Sequence, residues 1–91
     1  MISKYQLQKR INDVQHEIVP PDRYFENLHR ARLDILNWIK KEEGIRSEEE
    51  LSIKIDRYKE ELLAYSDYNS LQFKEIMVRI EELQNAINNN D

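Results

Sequence analysis

The sequence has no cysteine, one glycine and only two prolines among 91 residues. Without cysteine there is no disulfide framework and no thiol chemistry. An all-β sandwich or barrel needs turn residues about every ten positions, so the scarcity of glycine and proline argues against both folds. No apolar run approaches the roughly 20 residues that cross a bilayer. The N-terminal segment MISKYQLQKR lacks the apolar core of a secretion signal, so a cytoplasmic protein is expected.

Apolar residues make up 40% of the chain and charged residues 35%, and the apolar ones recur at short intervals. This composition is typical of a hydrophilic but folded chain. The length predicts a single domain over residues 1–91, in which the polar tail at 89–91 frays. The frequent use of Ile, Lys, Glu and Asn is typical of a bacterium with an AT-rich genome or of its phage.

Charge is distributed unevenly between the two halves of the chain. Residues 1–41 hold more basic than acidic side chains, whereas residues 42–91 hold the acidic excess that sets the net charge at −4. Two interpretations stay open. The halves attract each other within the folded chain, or the acidic half is a binding surface for a basic partner.

Apolar residues recur at steps of three and four, which is the period of an amphipathic helix. The pattern predicts four helices, over residues 3–18, 22–43, 48–65 and 71–88. The apolar stripe of the first runs from Leu7 to Ile18, and that of the last from Phe73 to Ile87. Because the connections are short, neighbouring helices should be antiparallel, and the fold class is an all-α antiparallel bundle of four helices. The second segment has the widest apolar face, which predicts a central helix that touches two or more neighbours.

Capping residues define the ends of these segments. Ser3 is expected to cap the first helix, and the prolines at 20–21 to stop it, because proline lacks an amide hydrogen and restricts the preceding residue. Gly44 fits the left-handed position that follows a helix, here the second one. Ser47, with a glutamate three residues later, matches a capping box at the start of the third.

Residues 47–88 are compatible with a helical hairpin or with one long helix. The apolar stripe of 48–65 does not continue in phase into 71–88, and the change of phase falls in the turn-forming run SDYNS. A hairpin is therefore predicted, with a single coiled-coil helix that contains a stutter as the alternative.

One charged residue interrupts the wide apolar face of the second helix. Arg32 lies near the middle of that face, and a buried charge is costly unless it is paired. Either its stem lies flat while the guanidinium reaches water, or it pairs with a carboxylate of the acidic half. Glu61 and Glu82 are the candidate partners.

The stretch VQHEIVPPD at residues 14–22 contains His16, Glu17 and Pro21 in an H-E-x-x-x-P spacing. This spacing resembles the phospho-accepting motif of sensor histidine kinases. The resemblance implies phosphotransfer at an exposed His16 that the neighbouring carboxylate orients. The alternative is a surface histidine at an ordinary helix end, which the double proline and the short extent of the motif favour.

Two residue pairs have the spacing that di-iron four-helix proteins use for their Glu-x-x-His ligands. They are Asp13 with His16 and Glu26 with His29. Both pairs are expected on the outer sides of their helices, where they cannot share a metal in the bundle core. No metal site and no cofactor are therefore predicted.

The run IKIDRYKEELLAYSDYNSLQFKEIMVRIEELQNAI looks like the helical hairpin of small aspartyl phosphatases that act on sporulation response regulators. That family carries Ser-Gln-Glu-Leu-Asp on its second helix. The matching run here has Ile80 in place of the serine and Gln84 in place of the acid, and keeps only Glu82 and Leu83. The resemblance implies hairpin geometry without the activity, and the sequence also lacks a P-loop, so no enzyme is predicted.

Several apolar or aromatic residues fall outside the four stripes, and with the wide second helix they predict a further buried surface. The candidate interface residues are Arg32, Leu33, Trp38, Ile53, Tyr68, Leu71 and Val78. The expected occupant is a second copy in a homodimer, a partner protein, or both. Nothing in the sequence suggests a membrane or a small-molecule ligand.

These observations predict a non-enzymatic helical protein–protein interaction module, a small regulator, inhibitor or adaptor of bacterial or phage origin. One alternative is a phosphorelay component, or a mimic of one, that uses His16. A second alternative is a nucleic-acid-binding regulator, which the overall acidity of the chain disfavours. Its basic residues would be Arg23, His29, Arg30 and Arg32.

Overall fold

The computed structural model describes residues 1–89, and these fold into four α-helices. The helices are α1 (Lys4–Gln15), α2 (Arg23–Ile39), α3 (Glu48–Leu62) and α4 (Leu71–Asn88). The predicted all-α class is confirmed for residues 1–89, where extended backbone pairs only in an isolated bridge. Helix α2 packs against α1 and α4, and α4 packs against α2 and α3. The centre of the fold is thus shared by α2 and α4.

Helix α1 begins at the predicted cap but ends three residues earlier than predicted. The Ser3 hydroxyl accepts a hydrogen bond from the amide three residues later at 3.1 Å, and the glutamine side chain there completes a capping box. The helix ends at Gln15, and Pro20 prevents helical backbone at the residue before it, so the helix cannot continue through the reversal. Ile18 is therefore 99% exposed and is not part of the core, contrary to prediction.

Helix α2 is capped by Asp22, whose carboxylate accepts from the Tyr24 amide at 2.7 Å. It ends at Ile39, so the predicted helix to residue 43 is wrong. The Arg46 amide donates to the Ile39 carbonyl at 2.9 Å, and Arg46 Nε donates to the Trp38 carbonyl at 2.6 Å. The returning chain thus satisfies carbonyl groups that a further helical turn would otherwise use.

The turn between α2 and α3 depends on Gly44. Its φ of +94° lies in the left-handed region, as predicted, and its carbonyl accepts from the Lys41 amide at 3.1 Å. Its predicted place directly after the helix is wrong, since Gly44 lies between the bridged residues Lys40 and Ile45. A side chain at this position would meet no atom within 4 Å, so only the backbone conformation requires glycine.

Helices α3 and α4 are separate, so the predicted break is confirmed and the single long helix is wrong. Helix α3 ends at Leu62 and not at residue 65. The amides of residues 63–65 bond carbonyls three positions earlier, which tightens the last turn. Helix α4 has the predicted bounds, and the Ser70 hydroxyl caps it by accepting from the Phe73 amide at 3.2 Å.

The predicted capping box at the start of α3 is confirmed, because Ser47 and Glu50 accept hydrogen bonds from each other's amides. We expect Ser47→Ala to lower the free energy of unfolding by about 1 kcal/mol in urea denaturation. Ser52→Ala is the matched control, since Ser52 is exposed inside the same helix and alanine favours helix there. Equal losses in the two variants would contradict the capping role.

The core is built from one face of each helix and from the N-terminus. Its fully buried side chains are Leu7, Val14, Leu36, Ile39, Leu51 and Leu83. Ile2 and Ala86, which the predicted stripes omit, are also buried, and the Ile2 amide donates to the Ala86 carbonyl at 2.7 Å. In the predicted frayed tail, Asn89 accepts from the Met1 ammonium at 2.6 Å, whereas residues 90–91 lie outside the described residues.

Candidate functional site

A buried carboxylate lies where α1, α2 and α4 meet. The Glu82 side chain on α4 is 3% exposed. Arg10 of α1 donates to both of its oxygens, from Nη2 to Oε1 at 2.5 Å and from Nε to Oε2 at 3.3 Å. Arg32 of α2 places its Nε 3.2 Å from Oε1, although this N–H is not aligned for a hydrogen bond and finds no other acceptor within residues 1–89. Glu82 thus links α4 to α1 and α2 by electrostatic attraction.

This cluster identifies the carboxylate that pairs with Arg32, which the sequence left open. Of the two suggested partners, Glu82 is the one that Arg32 contacts. The hydrogen bond from Arg10 to Glu82 raises the pKa of the Arg10 guanidinium, and burial acts in the opposite direction. Arginine stays protonated near neutral pH, so both guanidinium groups attract the Glu82 carboxylate. Its role is to position α1 and α2 on α4.

A second group of side chains lies on the outside of the fold, where the end of α2 meets α3 and α4. We call it the Trp38 surface and define it as Asp34, Trp38, Arg46, Glu50, Ile53, Lys54, Arg57, Tyr58 and Arg79. Trp38 is half-buried and packs against the core. The Arg46 guanidinium carbon lies 4.3 Å from its ring centroid and Lys54 Nζ lies 5.2 Å away, both within cation–π distance.

Tyr58 extends this arrangement along α3. Lys54 Nζ lies 5.1 Å from the Tyr58 ring centroid, and the Arg79 guanidinium carbon lies 5.9 Å from it. Lys54 therefore stands between two aromatic rings. Arg46 is held further by an ion pair with Glu50 at 3.2 Å. The rings and this carboxylate fix the positions of the cations.

The Trp38 surface contains most of the basic residues of the acidic half of the chain, residues 42–91. Four of the six Lys and Arg residues in 42–91 belong to it, and only Lys59 and Lys74 do not. Three of these cations, Lys54, Arg57 and Arg79, have no ion-pair partner within 4.0 Å among residues 1–89. Their charge is available to an anion from outside the chain.

Two open depressions share the Trp38 ring. One has a volume of about 250 Å³ and the other about 330 Å³. Trp38 and Lys54 line both. Arg57 lines the first and Arg79 lines the second. Depressions this open suit protruding side chains of another molecule better than an enclosed substrate.

Burial raises the pKa of the Tyr58 phenol above its ordinary value of 10, and Arg79 acts in the opposite direction. Above pH 10 the unfolded chain therefore loses this proton at a lower pH than the folded chain does. The free energy of unfolding falls as the pH rises through this range, whereas below pH 10 the ionisation of this phenol does not change it. We expect Tyr58→Phe to reduce the alkaline loss of stability, as measured by thermal unfolding across alkaline pH. Tyr5→Phe, at an 80% exposed position, is the control, and identical pH profiles for all three proteins would contradict this assignment.

The candidate interface residues from the sequence do not form one patch around a single cavity. Trp38 and Ile53 line the same depression and are brought together. Arg32 is held by Glu82, and Leu33 packs against the core. Their role at an interface stays a prediction.

The other three candidates lie on α4 or just before it. Tyr68 is 67% exposed, and its ring centroid lies 5.1 Å from that of Phe73. Leu71, the first residue of α4, and Val78 are half-buried. None of these three lines the depressions of the Trp38 surface.

The VQHEIVPPD stretch forms the reversal between α1 and α2. His16 is exposed, as predicted, and follows the last residue of α1, where its Nδ1 lies 2.7 Å from the Asn12 carbonyl oxygen. The Glu17 carboxylate lies 3.9 Å from Nδ1 of His29 on α2, a contact that is an ion pair only when the imidazole is protonated. The acid that the histidine-kinase resemblance assigns to His16 is therefore directed to another histidine, and phosphotransfer at His16 stays a prediction.

The two other sequence resemblances gain no site in the described part of the chain. Within residues 1–89, no three His, Asp or Glu side chains gather as a metal-binding group. In the run that resembles the phosphatases, Ile80 and Leu83 are buried in the core and Glu82 pairs with the arginines.

Between residues 1 and 89, no helix has both the length and the apolar character needed to cross a membrane.

The grouping of cations around Trp38 was not predicted from the sequence. The side chains come from α2, α3, α4 and the turn before α3, and only tertiary packing brings them together. One signal was available, because Lys54, Arg57 and Tyr58 recur at steps of three and four and so share one side of α3. Glu50 and Glu61 continue the same side of α3, so this spacing alone does not predict a basic surface.

The chain matches no protein-family model, no curated protein and no solved structure at a significant level. The geometry of the Glu82 cluster and of the Trp38 surface is therefore the main guide to function.

Proposed function

We propose that this chain is a non-enzymatic protein–protein interaction module whose Trp38 surface binds an acidic segment of a partner protein. The observation that carries the proposal is a group of cations that have no ion-pair partner in residues 1–89, placed around a half-buried tryptophan on a chain of net charge −4. Tryptophan and arginine are enriched among the residues that dominate binding energy at interfaces. Carboxylates complement both the charge and the geometry of guanidinium groups.

The two depressions specify the occupant further. Each is lined by one guanidinium, from Arg57 or Arg79, that has no ion-pair partner in the described part of the chain, and Trp38 and Lys54 line both. A segment that carries two carboxylates on either side of an apolar side chain matches this arrangement. The carboxylates would meet the guanidinium groups, and the apolar side chain would pack against Ile53 beside the Trp38 ring.

The same surface is a poorer match for nucleic acid. Single-stranded nucleic acids bind by stacking bases on aromatic rings beside cations. Here Arg46 and Lys54 already lie within 4.3 and 5.2 Å of the Trp38 ring centroid, where a base would stack. The net charge of −4 would repel a long chain of phosphates more strongly than a short segment with two carboxylates.

We also propose that neighbouring helices are antiparallel and that the chain forms a homodimer, which would present two copies of the Trp38 surface. The contacts of α1 with α4 support the first point. Ile2 bonds Ala86, and Arg10, further along α1, reaches Glu82, which is earlier in α4. A small module of this kind would act as a regulator, inhibitor or adaptor.

The direct test is charge reversal within the Trp38 surface. We expect Arg57→Glu to weaken partner binding about 10-fold or more, because an attractive charge pair becomes a repulsive one. Lys9→Glu is the matched control, since it makes the same change of charge at an exposed position on α1. Proteins retained from a lysate of the source organism by each variant would be compared, and cross-links would be mapped on both partners.

The expected result is a protein retained by the wild type and by Lys9→Glu but lost with Arg57→Glu, cross-linked near Trp38 through an acidic segment. Equal retention by both variants would contradict the proposal, as would cross-links that avoid the surface. Phosphotransfer to His16 is tested separately with a phosphorylated response regulator, and label on His16 would favour that alternative.

A further inference from the structure

We propose that Asp34 determines which acidic segments the Trp38 surface prefers, by selecting a segment in which a lysine lies next to a glutamate. Such a selection rests on the proposed binding of acidic segments and adds a residue that the segment should carry. Asp34 lines the second depression together with Lys54, Tyr58 and Arg79. Among the described residues that line this depression, it is the one carboxylate.

Asp34 is exposed on α2, and no Lys, Arg or His nitrogen of residues 1–89 lies within 4.0 Å of its carboxylate. The carboxylate of the first depression, Glu50, is by contrast already engaged. It accepts a hydrogen bond from the Ser47 amide at 3.1 Å and pairs with Arg46 at 3.2 Å, and both contacts lower its pKa. Of these two carboxylates, Asp34 is therefore the one left for a cation from outside the chain.

Asp34 lies close to the cations that are proposed to bind the segment. It precedes Trp38 by one helical turn on α2, so the two side chains share a side of that helix. Burial is the main cause of the raised pKa of the Tyr58 phenol, but Arg79 lowers this pKa and Asp34 raises it. Both charges thus act on the same ring, although they do not form an ion pair with each other. The second depression therefore contains unpaired charges of both signs.

Aromatic rings hold the nearby cations in place. Lys54 Nζ lies 5.2 Å from the ring centroid of Trp38 and 5.1 Å from that of Tyr58. The guanidinium carbon of Arg79 lies 5.9 Å from the Tyr58 centroid. These contacts are within cation–π distance, so they oppose a rearrangement in which either cation turns towards Asp34.

A partner carboxylate in the second depression is attracted by Lys54 and Arg79 and repelled by Asp34. The two cations outnumber the single anion, so the depression still attracts a carboxylate. A lysine next to that carboxylate would place an ammonium group beside Asp34 and form an ion pair with it. A segment without the lysine keeps the repulsion, and like-charge contacts of this kind are a common source of specificity at interfaces.

The test compares two synthetic peptides by the change that each causes in Trp38 fluorescence. One is Lys-Glu-Leu-Glu-Lys and the other is Ala-Glu-Leu-Glu-Ala, both with blocked ends. Lysine at both ends makes the comparison independent of the direction in which the segment lies. We expect the wild type to bind the lysine peptide about 5-fold more tightly, as for the gain of an exposed ion pair. Asp34→Asn should reduce this preference to less than about 2-fold and should bind the alanine peptide more tightly than the wild type does.

Asp56→Asn is the matched control, because it removes the same charge at an exposed position of α3 that lines neither depression. It should keep the preference of the wild type, and circular dichroism would verify that both variants fold. No preference in the wild type, or an equal preference in Asp34→Asn, would overturn the inference, as would an equal loss in Asp56→Asn. In these cases the peptides still bind, so the proposed binding of acidic segments stands. A wild type that binds neither peptide would overturn the proposed function and this inference with it.

Discussion

Glu82→Ala should lower the free energy of unfolding by about 3 kcal/mol, which is a large part of the roughly 5–14 kcal/mol expected for a chain of this length. The substitution leaves Arg10 and Arg32 without their shared carboxylate in a partly buried site. The two arginine side chains are 38% and 27% exposed, so their charged ends can partly rehydrate. We therefore place the loss at the lower end of the range for a broken buried pair. Urea denaturation followed by circular dichroism measures it.

Glu81→Ala is the matched control for this experiment. Glu81 is the adjacent residue on α4 and is exposed, so its replacement should change stability by less than about 0.5 kcal/mol. A double-mutant cycle with Arg10→Ala should give a clear coupling energy between Arg10 and Glu82. Equal effects of the two glutamate substitutions, or no coupling with Arg10, would contradict the role of Glu82 in joining the helices.

Leu83→Ala should also be strongly destabilising, by about 2–5 kcal/mol, because it removes a fully buried side chain and leaves a cavity. Leu83 has no exposed surface and lies on α4, the helix that packs against both α2 and α3. The loss should therefore loosen contacts on both sides of α4. Denaturant unfolding gives the free energy, and hydrogen exchange should show weaker protection in α2 and α3.

Leu63→Ala is the matched control, because it makes the same leucine-to-alanine change outside the core. Leu63 is 86% exposed at the end of α3, so its truncation should alter stability by less than about 0.5 kcal/mol. If Leu63→Ala and Leu83→Ala proved equally destabilising, the assignment of Leu83 to the core would be wrong. A protection loss confined to α4 would instead contradict the central position of that helix.

Local signals in the sequence were sufficient for several elements of the fold. Ser3, Ser47 and Ser70 lie in turn or capping patterns, and each of these hydroxyls begins a helix as an accepting cap. The bounds of α4 agree with the apolar stripe between Phe73 and Ile87. These features depend on residues within one turn of each other, so a pattern of spacing contains most of the information.

The ends of α1 and α2 were predicted too late because they depend on residues outside the helices. Arg46, seven residues beyond Ile39, takes the carbonyl groups at the end of α2. Nothing in the apolar pattern of α2 indicates this contact. Likewise, Ile18 is in phase with the α1 stripe, but the prolines end the helix before it and leave it exposed.

The candidate sites were predictable only in part for a similar reason. Arg32 signalled a buried ion pair because it interrupts an apolar face, and Glu82 was one of its two suggested partners. The second arginine, Arg10, was missed, since it gives no comparable signal within α1. Trp38 and Ile53 were selected as interface residues, but the cations around them are assembled from separate helices, which no spacing rule connects.

The central functional claim is that Trp38 lies in a binding surface for carboxylates, and Trp38 is the one tryptophan of the chain. Its fluorescence can therefore be followed directly while a synthetic peptide with two glutamates flanking a leucine is added. We predict a saturable spectral change in the wild type and in Lys9→Glu, weakened by salt and lost in Arg57→Glu. An unchanged spectrum, or an equal change in Arg57→Glu, would contradict the claim.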